Sequence, residues 1–365
     1  VSTTYQGVDV NLSGVAPGAT LMVYKALFQT PAGTGSGSNV MLVQALEDAV
    51  EDGADIINNS WGGGPGGPPQ TSPYTPIFEA AEEAGVVIAT AAGNDGPADR
   101  SIGCPGCAES GLTVANTQHG RTFGNIVDAA GLEGFSANAG DGDFELNETI
   151  SGPMMPVELI DEANVEACNS FADGALEGHI AFVSRGTCAF SDKANNVQAA
   201  GAIGMVLYNN AEGIIIMSMP GATLPSVSIT QEAGQEILAA YTEGATATIN
   251  ATESLIDEDS IDRMAASSSR GPNGDSSFLK PNIAAPGTSI LSAYAATPEV
   301  TENYNAISGT SMASPHVAGA AALLRQMYPD FSAKQIKSML MTSANPNVTD
   351  LEDGEVVPAT PFDRG

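Results

Sequence analysis

From Gly14 to about Asn94 short apolar runs alternate with amphipathic segments, the rhythm of strand–helix–strand units that feed a parallel sheet. The run LMVYKAL (21–27) predicts a buried strand. In VMLVQALEDAVEDG (40–53) apolar residues recur at helical spacing up to Gly53, which predicts a helix with Val43, Leu46, Ala49 and Val50 on one face. ADIINNSWGG (54–63) predicts a second strand running into a loop rich in Gly and Pro, 62–69. A helix through IFEAAEEAG (77–85) and a strand GVVIATAAGN (85–94) complete a third unit. Right-handed crossovers leave these strands parallel with their carboxyl ends on one edge, so the ends at Ser60 and Asn94 meet there.

The pattern changes at about Thr122. Up to Asp262 the chain is rich in Glu, Asp, Gly and Asn, with short β-like runs such as HIAFVSRG (179–186) and GMVLYNN (204–210) and one helix from about Asp192 to Ala200. This predicts a second, mostly β module inserted into the first, giving three segments: 1–121, 122–262 and 263–365. After it come SSSRGPN (267–273), a short strand near NIAAPG (282–287), and a long helix from about Ser311 to Tyr328. A further helix, Ser332 to Ser343, is expected to turn Ile336, Met339 and Leu340 inward.

Charge narrows the partners. Twelve Lys and Arg against 43 Asp and Glu leave a formal net charge of −31. Such a surface repels phosphate backbones and anionic lipid, so no nucleic acid partner is expected. No membrane span is expected either, because the longest apolar runs, near 203–208 and 317–324, fall well short of the roughly 18 residues that crossing requires. Val1 opens the sequence without Met and without the charged and apolar regions of a signal peptide, so the chain reads as a fragment or a processed piece. Its four Cys form two local pairs, Cys104 with Cys107 and Cys168 with Cys188. CPGC also fits a redox or metal half-site, but nothing nearby completes four ligands; two structural disulfides, and with them an oxidising compartment, are the favoured reading.

The sharpest chemical signal is GTSMASPHVAGAAALL, 309–324. A Ser in the first turn of an Ala-rich helix holds its hydroxyl at the positive end of the helix dipole, beside unpaired N–H groups, where an anionic intermediate would be stabilised. An ordinary helix-capping Ser gives the same text, and spacing alone leaves both open.

The 11 residues GTSMASPHVAG (309–319) resemble the serine motif of the subtilisin-like serine proteases. GVAPGATLMVYKAL (14–27), INNSWGG (57–63), VVIATAAGNDGP (86–97), SSSRGPN (267–273) and KPNIAAPG (280–287) are similar to further family segments in order and spacing. The resemblance implies an α/β fold, a mostly parallel sheet with helices on both faces. It makes Ser311 the nucleophile and gives Asn94 a side-chain amide in the oxyanion hole. It implies polypeptide substrates lying as an added strand along Ser60, Trp61 and Gly62, with the P1 side chain near Ala91, Ala92 and Gly93; small residues there imply a roomy apolar pocket for large hydrophobic P1 groups. No cofactor is required and secretion is implied. Structural calcium is common in the family, but Asp9, Asp95 and Asp99 form no recognisable loop and no metal site is assigned. Within the insert, Cys168, RGTCAF (185–190), the Lys193 helix and AGAIGMVLYNN (200–210) are similar to the protease-associated domain of large secreted subtilases. That module selects substrates, controls access or binds partners, and the Cys168–Cys188 bridge would staple it.

One departure matters. The family's triad runs Asp, His, Ser, and its base sits in an HGTHVAG-like helix that is missing here. Of the three His, His316 is five residues beyond Ser311 on the same helix and so on a different face, His119 stands at the entry to the insert, and His179 is placed in one of its strands. Truncation at both ends is the expected explanation, PATPFDRG (358–365) resembling the family's text just before its closing segment. The chain by itself is then expected to be nearly inert. Two other classes compete: a non-catalytic binding or adhesion protein on a degenerate subtilase fold, and an esterase with a different base.

Overall fold

A computed structural model of the chain describes all residues except 6, 30–34, 212, 213, 216, 273–277, 295–302 and 353. Asn273, the last residue of SSSRGPN, therefore lies outside the described residues. The chain divides into two compact units. One comprises Val1, Leu12–Arg121 and Ile256–Gly365; the other comprises Ser2–Asn11 and Thr122–Leu255. Residues 2–11 and 256–262 thus fall on the other side of the expected boundaries. The hairpin of Ser2–Tyr5 with Val8–Asn11 sets Tyr5 edge-on to Phe123, with ring centroids 5.1 Å apart, which accounts for its place in the second unit.

The first unit is built on a four-stranded sheet. Its strands lie in the order Ile283–Pro286, Leu112–Thr117, Val87–Ala91, Ile56–Asn59, and every neighbouring pair is parallel. Every residue of the central strand Val87–Ala91 is buried, as a strand covered on both faces requires. Successive side chains alternate between the faces. Val87 and Ala89 join Leu112, Val114, Ile283 and Ala285 beneath helices Thr310–Met327 and Ala333–Ser343, which contribute Ala313, Val317, Ala321 and Ile336. Ile88 joins Ile57 and Phe78 on the other face, under helices Asn39–Glu51 and Thr75–Glu83. Each large apolar side chain buried in this way contributes about 1.5–3 kcal/mol.

The predicted face of the Asn39–Glu51 helix holds: Leu46 and Ala49 are buried and Val43 and Val50 pack beside them, joined by Leu42. In the Ala333–Ser343 helix, started by a capping box of Ser332 and Gln335, Ile336 and Leu340 turn inward, but Met341 rather than Met339 packs with them.

The strand expected at 21–27 does not form. The segment keeps a strand's alternation, with Tyr24 and Ala26 against the core and Leu21 and Val23 outward at 85% and 89% exposure, yet it has no regular secondary structure. An apolar run becomes a strand only where a second backbone offers a matching row of N–H and C=O groups, and no described strand pairs with it.

In the second unit, strands Ile150–Pro156, Ile180–Ser184, Gly204–Tyr208 and Ser226–Ile229 run parallel to one another. Leu132–Ala139, Arg121–Ala129 and Thr246–Ile249 continue the order antiparallel, and the pairing of Thr246–Ile249 with both Ile150–Pro156 and Arg121–Ala129 closes seven strands into a ring. The expected helix is Phe190–Ala199; a second, Gln231–Ala240, was not anticipated. Its signal was there: the Thr230 side chain accepts from Ala233 N–H as an N-cap, and Ala233 and Ile237 are buried one turn apart. His179 precedes its strand instead of lying in it.

Candidate active site

The carboxyl ends of the first unit's parallel strands deliver loops to the N-terminus of the Thr310–Met327 helix, as crossover topology dictates. Gly309 begins that helix at φ +152°, a conformation that favours glycine, and its N–H donates to Gly287 O at 2.8 Å. Gly287 N–H in turn donates to Thr117 O at 2.9 Å, so the helix start is tied to two strand ends.

Asn94 leaves the end of Val87–Ala91 through Gly93, which turns at φ +111°. Its Oδ1 accepts from Thr310 N–H at 3.0 Å and from Thr310 Oγ1 at 3.1 Å. Thr310 Oγ1 itself accepts from Gly93 N–H at 3.1 Å, which commits its own proton to Asn94 Oδ1. With Oδ1 held twice, the amide cannot be flipped. Its Nδ2 then points away with no hydrogen-bond partner among the described residues. Asn94 thus caps a helix that begins 216 positions later in the chain.

Ser311 follows Thr310 directly. Its N–H, one of the free donors of the first helical turn, has no partner among the described residues, and its Oγ rests against Ser60 O at 3.3 Å. Ser60 Oγ donates to Ser311 O at 2.7 Å. A second bridge lies alongside, where Ser314 Oγ donates to Asn58 Oδ1 at 2.7 Å and Asn58 Nδ2 to Ser60 Oγ at 2.9 Å. Trp61 is anchored edge-on against Tyr74, with ring centroids 5.5 Å apart, while Gly62 is exposed. The structure therefore brings Ser311, Asn94, Ser60, Trp61, Gly62 and the run Ala91–Gly93 to one sheet edge. Behind it, Ser269 N–H donates to Gly93 O at 3.0 Å and Ser269 Oγ accepts from Asp95 N–H at 3.1 Å, clamping the Asn94 turn.

The sequence reading singled out neither Thr310 nor Asn58, Ser314 and Ser269. Their polar identity beside the quoted motifs was the available signal, but each acts on a partner more than 150 residues away.

No histidine serves Ser311. His316 Nδ1 donates to Met312 O at 2.8 Å on its own helix, and His119 Nδ1 accepts from Arg121 N–H at 3.1 Å. His179 is bonded to Glu177 O at 2.9 Å. Both Cys pairs are bridged, Cys104 to Cys107 and Cys168 to Cys188. Among the described residues no three His, Cys, Asp or Glu side chains converge as a metal ion would need.

The site thus consists of a serine at a helix N-terminus and a carboxamide bonded to the residue before it, at the carboxyl edge of a parallel sheet between helices. Residues 2–358 match the Subtilase family, and the chain belongs to it, with the α/β fold of subtilisin-like proteins. It is 38% identical to the minor extracellular protease Vpr of Bacillus subtilis (strain 168), over 95% of this chain and 41% of that protein. It is 32% identical to subtilisin-like protease SBT1.6 of Arabidopsis thaliana, over 96% of this chain and 48% of that protein. Against SBT1.7 of the same plant the identity is 31%, over 96% and 48%. The chain thus spans less than half the length of these curated relatives.

Proposed function

We propose that this chain is the nucleophile-bearing part of a secreted serine endopeptidase. Ser311 Oγ attacks the peptide carbonyl. The oxyanion that forms is held by Ser311 N–H, at the positive end of its helix, and by Asn94 Nδ2. The observation that carries this reading is the pair of donors without a partner among the described residues, Ser311 N–H and Asn94 Nδ2, the second turned away from Thr310 by the two bonds that Thr310 makes to Asn94 Oδ1. Donors already fixed before the reaction need no reorganisation when charge develops, and that is why they stabilise a transition state.

A peptide lying along Ser60–Gly62 places its P1 side chain by Ala91–Gly93, and the pocket takes large hydrophobic groups. The proton of Ser311 goes to a histidine, oriented by an aspartate, supplied by sequence of the longer protein. Segment 122–262 acts as a protease-associated module in substrate selection or access. Two disulfides, the acid excess and a relative named as extracellular support secretion.

Labelling of the longer protein by a fluorophosphonate serine probe tests the reading. Labelling lost in Ser311→Ala is the expected result; an unlabelled wild-type protein would favour a binding role on the same fold. The segment 1–365 alone is expected to label slowly, and fast ester turnover by it would point to a different base.

A further inference from the structure

The Cys104–Cys107 disulfide has no part in the chemistry just described, yet it lies between the two walls of the candidate cleft. On one side, Gly63 N–H donates to Cys104 O at 2.9 Å, Gly66 N–H donates to Ile102 O at 2.9 Å, and Pro65 bridges to Gly103. On the other, Gly103 N–H donates to Ala92 O at 2.9 Å, and Thr113 Oγ1 donates to Gly106 O at 2.6 Å. The buried Cys107 packs with Ala92 and Ile102, and Cys104 lies against this small cluster.

The fit is close. A Cβ on Gly62 would lie 3.2 Å from Cys104 O, one on Gly103 would lie 2.4 Å from Gly63 O, and one on Gly66 would strike Cys104 Sγ at 2.3 Å. Loop 62–66 has four glycines and one proline, and so no apolar side chain of its own to dock with except the proline ring. What positions it is the opposing segment 102–107, whose shape is fixed by the cross-link between its two cysteines.

We propose that the Cys104–Cys107 disulfide is a specificity-determining staple: it fixes the separation of loop 62–66 from the strand end 91–93 and thereby the size of the P1 side chain admitted. This rests on the reading of Ser60–Gly62 and Ala91–Gly93 as the substrate cleft. Apart from Trp61, which is held against Tyr74, the positions that form the cleft walls are small, so selectivity comes from their spacing, and the spacing from the staple.

The test uses the longer protein and a series of peptide substrates differing only at P1, with Ala, Leu and Phe. Removing the staple in Cys104→Ala/Cys107→Ala is expected to lower the discrimination between Phe and Ala by about tenfold, mostly through KM. Gly66→Ala, which drives a methyl into Cys104 Sγ while leaving the cross-link, is expected to lower it in the same direction. Combined with the double cysteine variant, Gly66→Ala should have a much smaller effect, since the sulfur at 2.3 Å is gone and only the Cβ of position 107, at 3.3 Å, remains. An unchanged P1 profile in both Gly66→Ala and the cysteine variant overturns the proposal, as does a Gly66→Ala effect that persists at full size without the disulfide. If the cysteine variant does not fold, the profile of Gly66→Ala decides alone. Fluorophosphonate labelling of wild-type Ser311 separates the two claims: no labelling sinks the cleft and the staple together, whereas labelling with an unchanged P1 profile sinks only the staple.

Discussion

Each unit carries four neighbouring parallel strands flanked by helices, but the carboxyl edges of the two sheets end differently. In the second unit the strand ends bond one another. Arg185 N–H donates to Tyr208 O at 2.9 Å, its guanidinium donates to Asn209 Oδ1 at 2.9 Å, and Asn209 N–H donates to Ile229 O at 3.1 Å. The fully buried Lys193 adds bonds to Ser184 O, at 3.4 Å, and to Glu166 O. In the first unit the corresponding edge uses some donors and holds others back. Thr310 N–H is taken by Asn94 Oδ1, whereas Ser311 N–H and Asn94 Nδ2 have no partner among the described residues. Parallel topology gathers polar groups in both cases. Only the edge that leaves donors unspent can receive developing negative charge.

The largest expected effect breaks that contrast outright. Ser311→Ala in the longer protein should lower kcat by about 10⁴-fold or more, because the remaining groups retain only binding and oxyanion stabilisation. Arg185→Ala, at the self-satisfied edge, should change kcat/KM by less than about threefold, reflecting loss of one internal hydrogen bond. Steady-state kinetics on one peptide substrate checks both, and comparable losses in the two variants would remove the distinction. Next in size is Asn94→Ala, expected to cost about 10²–10³-fold in kcat with KM little changed, the signature of a donor used only in the transition state. Asn94→Asp should be at least as damaging, since a carboxylate replaces the donor with an acceptor.

Much of this was legible in the sequence, for local reasons. Val43, Leu46 and Ala49 announce a helix because helical spacing is a property of neighbours, and Gly309–Gly319 announces the start of the Thr310–Met327 helix because the motif is contiguous. Helix Gln231–Ala240 is equally local, but its signal rests on Thr230 as a cap rather than on a long apolar repeat. The run 21–27 failed for the opposite reason: its apolar text is strand-like, but a ladder depends on a partner backbone that no window of the sequence contains. The same limit hid Thr310. Its pairing with Gly93 and Asn94 spans 217 and 216 residues, and nothing in GTS distinguishes a threonine that aims an amide from one that merely starts a helix.

The smallest expected effect is on pH dependence and again sets one unit against the other, through a buried lysine in each. Lys280, 1% exposed, donates to Thr113 Oγ1 at 2.9 Å and Asn282 Oδ1 at 3.0 Å. Burial first and the charge of Lys337 second hold its pKa well below the ordinary 10.5, against the weaker opposing pull of Glu82 and Glu109. Burial also lowers the pKa of Lys193, with the Glu166 carboxylate opposing it. A lysine whose folded pKa is depressed binds fewer protons when folded than when unfolded. Stability therefore rises with pH between the folded value and the unfolded one, and falls as pH drops through that window. Thermal unfolding at pH 8 and pH 10 should show this rise, once the opposing effects of other groups are subtracted by comparison with Lys280→Met. That variant should flatten the slope. Lys193→Met should flatten it less, because Glu166 already supports the charged form in the folded state. A Lys193 variant that flattens the profile more than the Lys280 variant would mean that the carboxylate does less for its lysine than the hydroxyl and amide do for theirs.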